Sequence, residues 1–158
     1  MKKIYFANAL FSQAELAFNE QVVKRIRELG KYEVYLPQEN FSINDKTKVA
    51  DSEKIYLADK KELEDSQIIV AVLDGLVIDP GVAAEIGMAA QRGMKIYGLI
   101  TDSRRTGYLQ RNDARLDLIC NSKAESQFMY FNLFVIGAVK ANGHLFDNVD
   151  DLIKELDK

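Results

Sequence analysis

The stretch Ile68-Ile69-Val70-Ala71-Val72-Leu73 is apolar at every position. A strand with one wetted face alternates apolar and polar residues. An unbroken apolar run of this length suits a strand covered on both sides, as in a parallel sheet. Parallel neighbours cannot be joined by tight turns, so the flanks of such a strand have to supply crossover helices. They do. Asp79-Pro80 opens a helix that runs to about Gly93, with proline at its first position and aspartate as N-cap. Upstream, residues from about Ser52 to Glu64 read as another helix.

The same alternation extends to both ends. Lys3 to Ala7 is a short strand. Ser12-Gln13-Ala14-Glu15 then matches a capping box, and Phe18, Val22, Ile26 and Leu29 put one helical face inward up to Gly30. Tyr32 to Leu36 reads as a second strand stopped by Pro37, Phe41 to Ala50 as a polar loop, and Lys95 to Ile100 as a fourth strand. Thr101 to Asn112 reads as a loop, Leu116 to Cys120 as a fifth strand, Gln127 to Lys140 as an apolar helix, and Val149 to Leu156 as an amphipathic one. This order predicts a doubly wound α/β fold of the flavodoxin or Rossmann kind. It would have a mostly parallel sheet of about five strands with helices on both faces, built by residues 1–158 as a single domain.

Composition removes several functions. A net charge of -3 offers no broad electropositive face to a phosphate backbone, which excludes nucleic acid as the expected partner. One cysteine, Cys120, allows no intrachain disulfide. One histidine, His144, allows no His-rich metal site and reads as a turn residue after Asn142-Gly143. No apolar run approaches membrane-spanning length and the amino-terminal stretch is too short for a signal peptide, so a cytoplasmic protein is expected. There is no glycine-rich dinucleotide fingerprint, phosphate loop or nucleophile elbow, and no cofactor or metal is expected.

In open α/β sheets ligands bind beyond the carboxyl ends of the strands. The helix after the third strand reads Pro80-Gly81-Val82-Ala83-Ala84-Glu85-Ile86-Gly87-Met88-Ala89-Ala90, in which Glu85 is the only charge. Such a carboxylate either faces solvent or is held in a confined site, and spacing does not choose between these. Asp79 serves as an N-cap in either case. Asp59 shares a helical face with Ile55 and Leu63, so it either finds a partner, lines a pocket or reaches water at a rim. Carboxylates without metal ligands suit glycosidic-bond chemistry, where one acid attacks the anomeric carbon and another serves the leaving group.

Lys3-Ile4-Tyr5-Phe6-Ala7 with Phe11-Ser12, the Asp59 helix, the Ile68 to Leu73 strand, and Asp79-Pro80-Gly81-Val82-Ala83-Ala84-Glu85-Ile86-Gly87 occur in this order. Together they resemble the nucleoside 2-deoxyribosyltransferases over roughly residues 3–100, with fainter support at Asn132. The resemblance implies that Glu85 is the nucleophile on the deoxyribose C1′ and that Tyr5 orients it. Asp79 would contact the base and deliver a proton, while Asp59 would bind the sugar or assist the transfer. It further implies that Asn132 reaches the 5′-hydroxyl in a neighbouring subunit's site, so that a homo-oligomer shares its active sites. Substrates would be purine or pyrimidine 2′-deoxyribonucleosides and free bases. Gln38 stands for the family's base-contacting glutamine, and Phe6, Phe11 and Met88 are candidate walls. The segment from Thr101 departs from the family pattern.

Two other readings compete. A nucleoside 5′-monophosphate N-glycosidase on the same fold would need a phosphate site, for which Ser103, Arg104 and Arg105 are candidates. A non-catalytic nucleotide-binding module would need only the fold.

Overall fold

The computed structural model describes residues 1–45, 47, 49–102 and 131–158. Five strands, β1 (Lys2–Ala7), β2 (Tyr32–Tyr35), β3 (Ile68–Val72), β4 (Lys95–Leu99) and β5 (Gly143–Phe146), form one parallel sheet in the order β2-β1-β3-β4-β5. Among the described residues the helices are α1 (Gln13–Glu28), a single turn α2 (Phe41–Asn44), α3 (Ser52–Glu64), α4 (Pro80–Gln91), α5 (Leu133–Asn142) and α6 (Val149–Asp157), with a 3-10 turn at Pro37–Glu39.

The central strand β3 is buried at all of its positions because both faces of the sheet are covered. One face carries Tyr5, Ala7, Ile69, Ala71 and Ile96 against Leu63 of α3, Val82, Ile86 and Ala89 of α4, and Ile136 and Val139 of α5. The other carries Ile4, Phe6, Val70, Tyr97 and Leu99 against Val22, Val23 and Ile26 of α1 and Leu152 and Leu156 of α6. Burying side chains on both faces supplies the hydrophobic driving force that fixes the register. The α1 capping box forms as expected, with Ser12 and Glu15 exchanging hydrogen bonds, and Gly30 follows the helix at φ 68°.

Four expectations change. The fifth strand is Gly143–Phe146, so His144 is a strand residue and not a turn residue. Leu116 to Cys120 lies outside the described residues, as does nearly all of the Thr101 to Asn112 loop. Asn142-Gly143 carries a turn signature, yet α5 passes straight into β5 there. Gly143 serves close approach instead, since a Cβ would stand 1.7 Å from the Ile96 carbonyl oxygen. Helix α5 starts at Leu133 because the Asn132 side chain caps it, accepting from the Phe134 and Val135 amides, whereas Gln127 to Tyr130 lie outside the described residues. Finally, the polar stretch after β2 contains α2, capped by Asn40.

Candidate active site

The strand order reverses direction between β1 and β3, and a cleft of about 390 Å³ opens at their carboxyl ends. This is where ligands bind in doubly wound sheets, and the volume falls within the range of small-molecule sites. Ala7 to Phe11 at the end of β1, Pro37 and Asn44 after β2, Ala50, Ile55 and Asp59, and Asp79, Gly81, Val82 and Glu85 at the start of α4 contribute to its walls. The charged residues of that lining are Asp59, Asp79 and Glu85, all acidic.

Glu85 sits on α4 one turn after Gly81, and both line the cleft. Tyr5, fully buried on β1, donates its hydroxyl to Glu85 Oε1 at 2.6 Å. Burial pushes the Glu85 carboxyl up to about 7, the tyrosine bond pulls against that, and the negative charges of Asp59 and Asp79 add to the rise. The Tyr5 hydroxyl is held far above its usual range, by burial first and then by the Glu85 and Asp59 charges, so Tyr5 remains a donor.

Asp79 accepts from the Gly81 and Val82 amides at 2.8 and 3.1 Å through Oδ1. A Cβ on residue 81 would meet that oxygen at 3.0 Å and crowd the cap. Asp59 accepts the Tyr35 hydroxyl at 2.8 Å through Oδ1. Its carboxyl is raised by burial, lowered by the tyrosine bond and raised by the Glu62 charge. Each of the three acids is thus anchored through one oxygen by a neighbour in this chain.

The other candidates sit differently. Phe11 is exposed at the cleft mouth. The Gln38 amide is tied up away from the lining, donating to the Leu16 carbonyl at 3.1 Å and accepting from Asn19 at 3.0 Å. Met88, almost a turn beyond Glu85, packs against the core, and Phe6 faces the opposite layer. Asn132 is exposed in the single chain and absent from the cleft lining. Ser103, Arg104 and Arg105 lie outside the described residues. Among the described residues no group of His, Cys, Asp or Glu is arranged to hold a metal ion, and no helix is long and apolar enough to cross a membrane.

Sequence reading missed two residues. Tyr35 pairs in parallel register with Tyr5, so the two rings share one face of the sheet, 5.4 Å apart. A tyrosine at the carboxyl end of the strand was the available signal. Asn19, 1% exposed, binds the Asn8 side chain, the Ala9 carbonyl and Gln38, and so holds the loop that forms the cleft's upper wall. Its place on the inward face of α1 between Phe18 and Val22 was the clue.

A doubly wound parallel sheet with a tyrosine-held glutamate at its switch point places the chain among the folds that bind small molecules beyond their strand ends. Within that class, the family model for nucleoside 2-deoxyribosyltransferase matches residues 4–149, and the chain belongs to this family. A conserved protein from Enterococcus faecalis V583 is similar over 99% of this chain and 97% of its own, at 46% identity and a TM-score of 0.80. The 2-desoxiribosyltransferase from Leishmania mexicana covers 99% and 97% at 18% identity and a TM-score of 0.67. A 2-deoxyribosyltransferase from Bacillus psychrosaccharolyticus covers 96% and 90% at 18% identity and 0.64. These last two likenesses show the fold. No curated protein sequence matches the chain.

Proposed function

We propose that the protein is a nucleoside 2-deoxyribosyltransferase that exchanges the base of 2′-deoxyribonucleosides through a deoxyribosyl ester on Glu85. The observation that carries this reading is the 2.6 Å bond from the Tyr5 hydroxyl to Glu85 Oε1 inside a cleft whose charged lining is acidic. A 2-deoxyribosyl C1′ becomes electron-poor as its bond to the base lengthens, and a fixed carboxylate stabilises that charge before capturing it. The Glu85 oxygen forms a bond to C1′ as the C1′–N bond breaks, and the departing nitrogen takes a proton from Asp79 or Asp59. A second base then attacks C1′ through its nitrogen, the ester bond breaks, Glu85 recovers its charge and the acid recovers its proton. Two displacements give retention.

The acidic lining favours a neutral nucleoside over a 5′-monophosphate, whose dianion would meet carboxylates and no cation among the described lining residues. A cytoplasmic setting and an oligomer that shares sites through Asn132 belong to the same proposal. The test is incubation of purified protein with deoxyinosine and adenine, with products separated by chromatography. Deoxyadenosine plus hypoxanthine supports the transferase. Hypoxanthine plus free deoxyribose makes it a hydrolase, and base release from 5′-monophosphates alone makes it a nucleotide glycosidase. Binding of nucleosides with no base release under any donor would leave a binding module.

A further inference from the structure

We propose that Tyr35 is a positioning residue for this reaction, its hydroxyl aimed by the Asn40 amide to hold the Asp59 carboxylate in place at the cleft. This role rests on the transferase reading.

A tyrosine oxygen carries one proton and can also accept. Asn40 Nδ2 donates to the Tyr35 oxygen at 3.1 Å, and the Tyr35 hydroxyl donates to Asp59 Oδ1 at 2.8 Å. The orientation of the Asn40 amide is fixed from its other end, because Oδ1 accepts from the Ser42 amide and from the Ser42 hydroxyl at 2.6 Å. With the nitrogen therefore facing Tyr35, the tyrosine proton has one favourable direction, toward Asp59. The chain Ser42, Asn40, Tyr35, Asp59 runs one way and ends at the cleft.

Asp59 needs such a donor. The groups that shift it are Tyr35 on β2 and Glu62 one turn along its own helix, and its own charge is felt by Tyr5 on β1 and Glu85 on α4. None of these is a cation. Lys3, which reaches Glu62 at 2.6 Å, is committed to that carboxylate. Burial raises the Asp59 carboxyl and the Tyr35 bond lowers it, so the tyrosine both orients the group and keeps it ionisable. Two adjacent tyrosines, one per acid, thus set the geometry of the pair Glu85 and Asp59.

The test measures base exchange by wild type, Tyr35→Phe and Asn40→Ser, each alone and combined with Asp59→Asn. In parallel, the Asp59 carboxyl is titrated by carbon NMR in the proteins that retain it. Serine keeps an oxygen that can cap α2 while removing the amide donor, and phenylalanine keeps the ring packing. Losing a hydrogen bond to a charged group is expected to lower kcat about tenfold or more in Tyr35→Phe, with KM changed by less than about twofold. Asn40→Ser is expected to act in the same direction by less. In the Asp59→Asn background neither substitution is expected to matter further, and in Tyr35→Phe the Asp59 midpoint is expected to rise. Equal losses with and without Asp59, or an unmoved Asp59 midpoint, overturn the proposal. A wild-type protein that releases no base overturns the transferase reading instead, and the titration, which needs no turnover, still decides whether Tyr35 governs Asp59.

Discussion

In a Glu85→Gln variant Tyr5 keeps its acceptor, since an amide oxygen can stand where Oε1 stands, but the charge is gone. Transfer is expected to be lost, and the fold is expected to gain stability at neutral pH. Burial pushes the Glu85 carboxyl up to about 7 in the fold, against an ordinary value of 4.5 in an unfolded chain. With the folded value higher, the unfolded chain loses its proton first as pH rises. On this group's account, wild-type stability is full below 4.5, declines from there to about 7, and is level beyond. Each pH unit between the two midpoints is worth about 1.4 kcal/mol. The whole gap is therefore on the order of 3 kcal/mol, and partial solvation of the carboxylate trims it to about 2–3 kcal/mol. Urea unfolding at about pH 4 and about pH 8 measures it. The difference between variant and wild type is expected to grow by that amount from the lower pH to the higher one, or by roughly 5–10 °C in Tm for a chain of this size. Parallel pH dependences of the two proteins would refute the claim that burial among acids, with one tyrosine as counterweight, sets this group.

Tyr5→Phe removes the donor that lowers the Glu85 carboxyl, so the acid limb of the kcat/KM profile is expected to move above 7, with kcat down about tenfold to a hundredfold. An unmoved limb in steady-state assays counts against the role of that bond. Gly143→Ala forces a methyl to 1.7 Å from the Ile96 carbonyl oxygen, and backbone cannot yield there as a flexible side chain can. A loss of more than about 3 kcal/mol, or no soluble protein, is expected, with thermal unfolding as the check. Asp74→Ala strips the acceptor from the Thr101 and Asp102 amides, bonded at 2.6 and 3.1 Å, and from the Thr101 hydroxyl. It is expected to cost about 1–3 kcal/mol in urea unfolding, and a neutral result means these donors find other partners.

What could be read from residues alone follows from the range of the forces involved. The Ile68 to Leu73 run, the Ser12 to Glu15 box and the Asp79-Pro80 start are local patterns, and each forms as its pattern predicts. The strand at Gly143 was not legible, because Asn-Gly signals a turn locally and the reason for glycine is a backbone 47 positions away, at Ile96. Asn132 as a helix start was hidden behind the apolar sequence that continues on both sides of it. At the site, the pattern pointed to Asp59, Asp79 and Glu85 and the family resemblance added Tyr5, but neither said what pairs with what. The Tyr35 to Asp59 bond depends on parallel register between β1 and β2, and on α3 crossing above them, neither of which is written in any short segment.

The choice of tyrosines, where lysine or arginine would bind a carboxylate more strongly, has a physical reason on the transferase reading. A cation beside Glu85 would hold its carboxyl well below the usual range, leaving a weakly nucleophilic oxygen whose charge was already spent on its partner. The same cation would repel the positive charge that grows at C1′ as the base departs. A tyrosine hydroxyl fixes the oxygen at 2.6 Å yet adds no net charge, so the field of the acids stays directed at the anomeric centre. The cost appears as the raised Glu85 carboxyl, which burial lifts first and the negative charges of Asp59 and Asp79 lift further. An isolated nucleophile would gain stability and lose the electrostatic attraction for an oxocarbenium-like sugar. On the transferase reading, the burial and neighbouring charges that disfavour an ionised Glu85 are also what would direct it at C1′.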